Sequence, residues 1–341
     1  MASVDIVVPC YNYAHFLEEC VSSVLSQRDV EVRVLILDDA SPDNTPKIGE
    51  ALAQSDPRVT YLRNEENLGL IGTANRGLLD WAEADYVLLL SADDLLTPGS
   101  LARATSIMEA HADVHMVFGR ALLISDDFEA SEVPPEDQDA QVQLLTGHDF
   151  IRRNFTHGNP VPSPAAVLRT RVQKELGGYL PQFAHTSDME MWMRFAAHGS
   201  IGVINTLQAC YRIHDTSMSA PRVNRAISDR EERLEACAYA VEHLCQHVPA
   251  AKDWLTDLKR RFTKEAYWLA NQTRYTASER ETCVAFARRI EPDGPLSLSY
   301  LKFLLKRMVM AARSEQDAPE TFERAGLNTS IYGWWPDEAQ S

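Results

Sequence analysis

The sequence predicts an α/β protein: a mostly parallel sheet with covered faces, followed by a helical C-terminal region. Three observations carry that prediction. Short apolar runs alternate with helix-length segments from residue 4 to residue 124. Acidic or polar clusters stand at the ends of three of those runs, and beyond residue 220 the apolar period becomes helical almost throughout. Strands that alternate with helices of this length form parallel-type sheets, and such sheets hold ligands at the carboxyl ends of their strands.

Each element has its own signal. Residues 4–9 are an apolar run ending at Pro9, and residues 15–27 place Phe16, Cys20, Val24 and Leu25 at helical spacing. The strand at 31–37 alternates Val32, Val34 and Ile36 and runs into Asp38-Asp39. Thr45 as N-cap with Pro46 as first helical residue opens a helix to 54. A third strand follows at 58–63, a helix at 72–81, a buried strand at 86–90, a helix from Thr97-Pro98 to 110, and a fifth strand at 115–124. Residues 125–139 hold seven acids, no base and Pro134-Pro135, the pattern of a mobile surface loop. From 221 to 312 the pattern is helical with breaks near Pro249 and 291–295, so the expected domains are 1–220, α/β, and 221–341, helical.

Composition narrows the function classes. The 341 residues are 45% hydrophobic and 24% charged without a biased tract, which excludes disordered, collagen-like and coiled-coil chains. No apolar run approaches the roughly 18 residues of a membrane span, and Asp5 interrupts what would be the apolar part of a signal peptide, so a cytoplasmic protein is expected. The six cysteines form no CxxC or Cys/His pair and read as reduced thiols. Net charge is −16, which opposes binding to nucleic acid. Residues 221–341 carry 18 charges of each sign, so the whole imbalance lies in 1–220. An anionic ligand such as a nucleotide diphosphate would need a divalent cation there, held by carboxylates.

The strand-end clusters are Pro9-Cys10-Tyr11-Asn12, Asp38-Asp39-Ala40-Ser41 and Ser91-Ala92-Asp93-Asp94. A single Asp pair at a strand end is usually a turn or a cap; three at matching ends suggest one crevice. Their chemistry suits a nucleotide: Tyr11 can stack on a base, Asp39 can accept the imide N–H of uracil, and Asp93 and Asp94 can share a ribose hydroxyl and a hard cation. Neither GxGxxG nor GxxxxGK[ST] follows the first strand, which argues against dinucleotide-dependent dehydrogenases and P-loop enzymes.

These clusters, with Asn64 to Asn75, Leu176-Gly177-Gly178-Tyr179, Ser187 to Arg194 and Tyr211-Arg212-Ile213-His214, resemble in order the family 2 inverting glycosyltransferases of the GT-A fold, a Rossmann-like sheet, over about residues 4–220. The resemblance implies a nucleotide-sugar donor, here UDP-linked, a hydroxyl acceptor (glycan, lipid-linked or small molecule), and Mg²⁺ or Mn²⁺. It places Pro9, Tyr11 and Asp39 around the base, Asn12, Asn67 and Asn75 near the nucleotide, Asp93 by the ribose, and Asp94 on the metal, with His214 at the metal or diphosphate. Ser91 stands where many members have Asp, and Thr73-Ala74-Asn75 lacks the Arg often found before the Asn. A nucleotide-sugar-binding scaffold without turnover and a sugar-1-phosphate nucleotidyltransferase are the alternatives; the second lacks its glycine-rich basic loop here.

Inverting transfer needs a carboxylate to take the acceptor proton. Asp188 and Glu190 are candidates, two apart at the start of a helix that Gly199 ends, so they point about 200° apart and cannot both face a substrate. Ser187 with Glu190 reads as a capping box, which gives Glu190 a structural task and leaves Asp188, the position that also matches the family's base. His157, Asn159 and the prolines to Pro164 are expected to shape the acceptor side, where Trp192, one turn after Asp188, either joins them or packs in the core. Near the end, Leu298, Leu301, Leu305 and Met308 recur at three- and four-residue spacing beside Lys302, Lys306, Arg307 and Arg313. Charge complementarity favours a helix docked on the acidic domain over one that touches anionic lipid through residues 296–313.

Overall fold

The computed structural model describes residues 1–135, 140–214, 225–272, 275–291, 297–311, 330–334 and 336. They fall in two compact units, Met1–Ala220 together with Gly326–Ser341, and Pro221–Ala325.

The first unit opens with β1 (Ser3–Cys10), α1 (Ala14–Leu25), β2 (Glu31–Asp38), α2 (Thr45–Ser55), β3 (Val59–Arg63) and α3 (Gly69–Asn75). It continues through a π-helical turn (Arg76–Trp81) to β4 (Tyr86–Leu89), β5 (Leu95–Leu96), α4 (Ser100–Ala110) and β6 (Val114–Ile124). Then come β7 (Val142–Leu145), α5 (Gly147–His157), β8 (Ala166–Arg169), α6 (Thr170–Leu176), α7 (Ser187–His198) and β9 (Ser200–Arg212). The second unit is helical: α8 (Arg225–His243), α9 (Ala251–Ala270), α10 (Ala277–Ile290) and α11 (Leu298–Ala311). The short strand β10 (Ile331–Tyr332) returns to the first unit.

One sheet runs β3-β2-β1-β4-β8-β6-β9-β5, with β7 on β9 and β10 on β6. The β3, β2, β1 and β4 strands are mutually parallel. The four-residue β8 then lies antiparallel to both β4 and β6, so the mostly parallel sheet that the sequence pattern suggested is mixed at this point. Val4, Ile6 and Val8 on one face of β1 pack with Leu17, Val21 and Val24 of α1 in the main apolar core. Asp5 points the other way, fully buried, and is satisfied by Arg33 and by the N–H groups of Glu83 and Ala84.

The expected helix at 72–81 is two pieces, α3 and the π turn, and a Cβ on Gly77 would stand 2.3 Å from Val7 Cγ1. Glycine lets that turn lie against β1. The cap of α2 is Asn44 and not Thr45; Asp43 instead accepts both the N–H and the hydroxyl of Thr45. The expected helix from Thr97 begins at Ser100, after a left-handed Gly99 (φ 74°). Of the expected acidic loop at 125–139, residues 136–139 lie outside the described residues.

Two expectations for the C-terminal part change. Residues 326–341 belong with the first unit, because β10 pairs antiparallel with β6 through Ile331 opposite Leu122 and Tyr332 opposite Ala121. On α11 the buried contact is Phe303, stacked 4.9 Å from Tyr267, while Leu298, Leu301, Leu304 and Leu305 are exposed. The leucine stripe that helical spacing marked as a packing face is therefore open; the side chain of Met308 lies outside the described residues.

Candidate active site

The loops that leave β1, β2 and β4 form one side of the site. Pro9 is buried near the end of β1, opposite Leu37, and Tyr11 beyond it is 44% exposed, free to meet a planar ligand. Asn12 (φ 63°) and Ala40 (φ 58°) both take the left-handed conformation, which non-glycine residues rarely adopt without support. The support is a knot of bonds: Asn12 N–H donates to Ser41 Oγ, Asp39 N–H to the Cys10 carbonyl, and Ser41 N–H to Asp38.

Asp38 and Asp39, adjacent in sequence, have different tasks. Asp38 is fully buried and saturated by Arg63, Tyr61 and Ser41, which makes it a structural anchor. Asp39 accepts from Asn64 Nδ2 and from Leu68 N–H, both at 2.8 Å and both on Oδ1. Asn64, quoted in the sequence resemblance but given no role there, also donates to Thr73 and accepts from Arg76. Asn67 is exposed and caps Gly69 N–H at 3.0 Å. Asn75 is spent on the main chain: its amide takes Tyr179 N–H at 2.7 Å and gives to the Tyr179 carbonyl at 2.9 Å. Expected near the nucleotide, it pins the 178–179 loop instead.

After β4, Asp93 and Asp94 are 7% and 1% exposed. Asp94 Oδ1 accepts Arg212 N–H at 2.9 Å, and burial followed by the Asp93 charge pushes its carboxyl well above the usual range. His214 Nε2 lies 3.1 Å from Asp93 Oδ2, its ring edge-on to Tyr13 and stacked with Phe16. Arg212, 1% exposed, lies over the Phe16 ring and donates to the carbonyls of Asp93 and Ser125. It clamps the end of β9 to the 93–94 loop, a task the sequence offered only as a basic residue beside a histidine.

The other side is built around Asp188 in the first turn of α7. Asp188 is half-buried; Oδ2 accepts from Asn159 Nδ2 at 2.8 Å and from Ser163 Oγ at 3.2 Å, and Oδ1 accepts Met189 N–H at 2.6 Å. Burial raises its pKa and these bonds oppose the rise. Glu190 is no cap. The N-cap of α7 is Thr186 with no side-chain cap bond, and Glu190 forms a fully buried two-pronged pair with Arg194 at 2.7 Å. Arg194 in turn ties the carbonyls of Leu176 and Gly178. Trp192 is 1% exposed and edge-on to Tyr179, so it belongs to the core and not to an acceptor surface. His157 ends α5, exposed and bonded to Thr156.

The returning C-terminal strand completes this side, and nothing in the helical reading of 221–341 foresaw it. Tyr332 sits 6.3 Å from the Tyr211 ring, and burial followed by the charge of Asp188 pushes its phenol up to about 12. Trp334 lies against Arg153, whose guanidinium donates to the Gly158 carbonyl beside Asn159. The indole N–H of Trp334 is buried with no hydrogen-bond partner among the described residues. A Tyr-Gly-Trp-Trp run after a polar stretch was the available signal. Tyr211, next to Arg212, thus links the two sides: Arg212 holds Asp94 while Tyr211 meets Tyr332 beside Asp188.

Residues 5–170 match the glycosyl transferase family 2 pattern. Residues 5–170 thus form a family 2 glycosyl transferase domain, and the enzyme class is that of a glycosyltransferase. It is 25% identical over 219 residues to the putative glycosyltransferase EpsE of Bacillus subtilis, covering 63% of this chain and 73% of that protein. It is 31% identical over 162 residues to the GalNAc(5)-diNAcBac-PP-undecaprenol beta-1,3-glucosyltransferase of Campylobacter jejuni, 46% of this chain and 50% of that one. Among solved structures, the mannosyltransferase PcManGT of Pyrobaculum calidifontis with GDP-Man and Mn²⁺ superposes with a TM-score of 0.51 at 18% identity, covering 91% of this chain and 81% of the other. S. aureus TarS 1–349 with UDP-GlcNAc gives 0.56 at 13% identity, covering 99% and 98%. The fold of this transferase is the GT-A type.

Proposed function

We propose that this transferase moves a sugar from a uridine diphosphate donor to an acceptor hydroxyl with inversion, assisted by Mg²⁺ or Mn²⁺. The observation that carries the reading is Asp188: a half-buried carboxylate with a raised pKa, held by neutral donors and by no cation, next to the strand-end carboxylates through Tyr211 and Tyr332. Such a group accepts a proton readily.

Asp39 keeps Oδ2 for the imide N–H of uracil, because its two bonds both fall on Oδ1, and Tyr11 stacks on the ring. Asp93, steadied by His214, takes a ribose hydroxyl. Among the described residues no three His, Cys, Asp or Glu side chains converge as a cation cage. Asp94 still fits a cation, since its buried carboxylate has a second carboxylate beside it; the diphosphate oxygens would complete the ligand set. His214, engaged with Asp93, is then a positioning residue and not a ligand. When bound, the cation neutralises charge on the departing diphosphate. Asp188 removes the acceptor proton as the acceptor oxygen bonds to the anomeric carbon, and the electron pair of the breaking carbon–oxygen bond leaves with the diphosphate. Asn159 and Ser163 hold the Asp188 carboxylate in line; Tyr332 and Trp334 wall the acceptor side.

The relatives fit this reading: one acts on a polyprenol-linked glycan, and the superposed structures hold GDP-Man with Mn²⁺ or UDP-GlcNAc. The test is a panel of nucleotide sugars with Mn²⁺ and simple glycoside acceptors, assayed for products. Free UDP and an inverted glycoside are expected, with donor binding lost in Asp94→Ala. Pyrophosphate release would indicate a nucleotidyltransferase, and metal-dependent binding without any release a scaffold.

A further inference from the structure

The helix α11 presents its apolar face outward. Leu298, Leu301, Leu304 and Leu305 are 67%, 49%, 38% and 64% exposed, and at helical spacing they cover an arc of roughly 120°. Phe303, the residue this helix buries, lies on the other side, stacked on Tyr267 of α9. A row of four open leucines opposite the packed face is a surface built to be covered.

Charge indicates by what. Lys302 and Lys306 border the leucine arc on one flank and Arg307 on the other, all three exposed. Arg307 joins Arg280 and Arg288 in lining a recess of about 310 Å³, opposed there only by Glu281. Apolar side chains flanked by bases, with a cationic recess beside them, match the boundary of an anionic membrane: leucines in the acyl region, bases at the phosphates. The following residues 312–329 are a poor cover, since Phe322 and Leu327 are their only large apolar side chains. A second copy paired through this face by a two-fold axis would bring Lys302, Lys306 and Arg307 against their own counterparts.

We propose that α11 is an interfacial helix that seats this protein on an anionic lipid surface through Leu298, Leu301, Leu304 and Leu305, with Lys302, Lys306, Arg280, Arg288 and Arg307 at the phosphate headgroups. None of these residues is assigned to the proposed transfer site, so the proposal stands or falls independently of the donor and acceptor assignments.

The experiment is co-sedimentation of the full chain with vesicles of phosphatidylcholine alone or mixed with phosphatidylglycerol at roughly three to one. Wild type binds the mixed vesicles, weakens as salt rises, and is not released by inorganic phosphate, which competes for the recess but not for the acyl boundary. A Leu301→Glu/Leu305→Glu variant loses roughly tenfold or more of that binding, and Lys302→Glu/Lys306→Glu loses several-fold. These side chains are exposed, so both variants fold, as circular dichroism checks. Absence of vesicle binding by wild type at low salt, or binding unchanged in the leucine variant, overturns the proposal. So does a concentration-dependent dimer, formed without vesicles, that the leucine variant abolishes.

Discussion

Asp94 and Asp188 stand on opposite sides of the proposed site, and burial raises the pKa of both, yet their remaining partners differ. Asp94 has Asp93 as a like-charged neighbour and a single backbone N–H from Arg212. Asp188 instead has three neutral donors, from Met189, Asn159 and Ser163. Desolvation is common to them; what is left uncompensated is not. A crowded pair of carboxylates is relieved by a cation, whereas a lone carboxylate with neutral donors is relieved by a proton. Glu190 supplies the control: buried as fully as Asp94, it is compensated by Arg194, and so suits neither task.

The largest test removes the proposed proton acceptor. Asp188→Asn should cut transfer by about 10²–10⁴-fold while cation-dependent donor binding stays within a few fold, measured by calorimetry beside a UDP-release assay. Equal loss of donor binding would erase the distinction between the two sides. Next, Glu190→Gln should lower stability by about 3–5 kcal/mol, because it leaves the Arg194 charge buried without its partner. Denaturant unfolding reads this, and activity per folded molecule should be retained; a folded but inactive variant would move the base to Glu190.

The smallest effect sharpens the proton argument. The proposed transfer requires ionised Asp188, so its acid limb should lie above the ordinary aspartate value of about 3.9. Asn159→Ala removes a bond that favours the ionised form, so the limb should move further up and the rate at neutral pH fall by up to roughly tenfold. The stability sign is the matching one. Because folding raises the pKa of Asp188, its contribution is greatest below the ordinary value and is lost as pH rises through the raised one. A pH profile unchanged in Asn159→Ala would make Asn159 a loop residue only.

The sequence by itself determined the strands β1, β2 and β4, the helices between them and the carboxylates at their ends, because these follow from periods of two and 3.6 residues and from turn chemistry within a few positions. It also singled out Asp188 over Glu190, though through a cap that does not form; the reason Glu190 is occupied is Arg194, one turn on. The start of α10 was not among the expected breaks near Pro249 and 291–295, although Thr276 and Glu279, which form a capping box, carry its signal. Only the tertiary structure decided the insertion of β8 between β4 and β6, and the return of Tyr332 and Trp334 to the catalytic unit. It also decided the hold of Arg212 on Asp94 across 118 residues, and that of Asn159 and Ser163 on Asp188 across 29 and 25. The same leucine spacing on α11 is consistent with a packed face or an open one, and exposure settled it as open. Periodicity reports that a side of a helix is apolar; what covers that side depends on contacts between segments far apart in the chain, which no local pattern encodes.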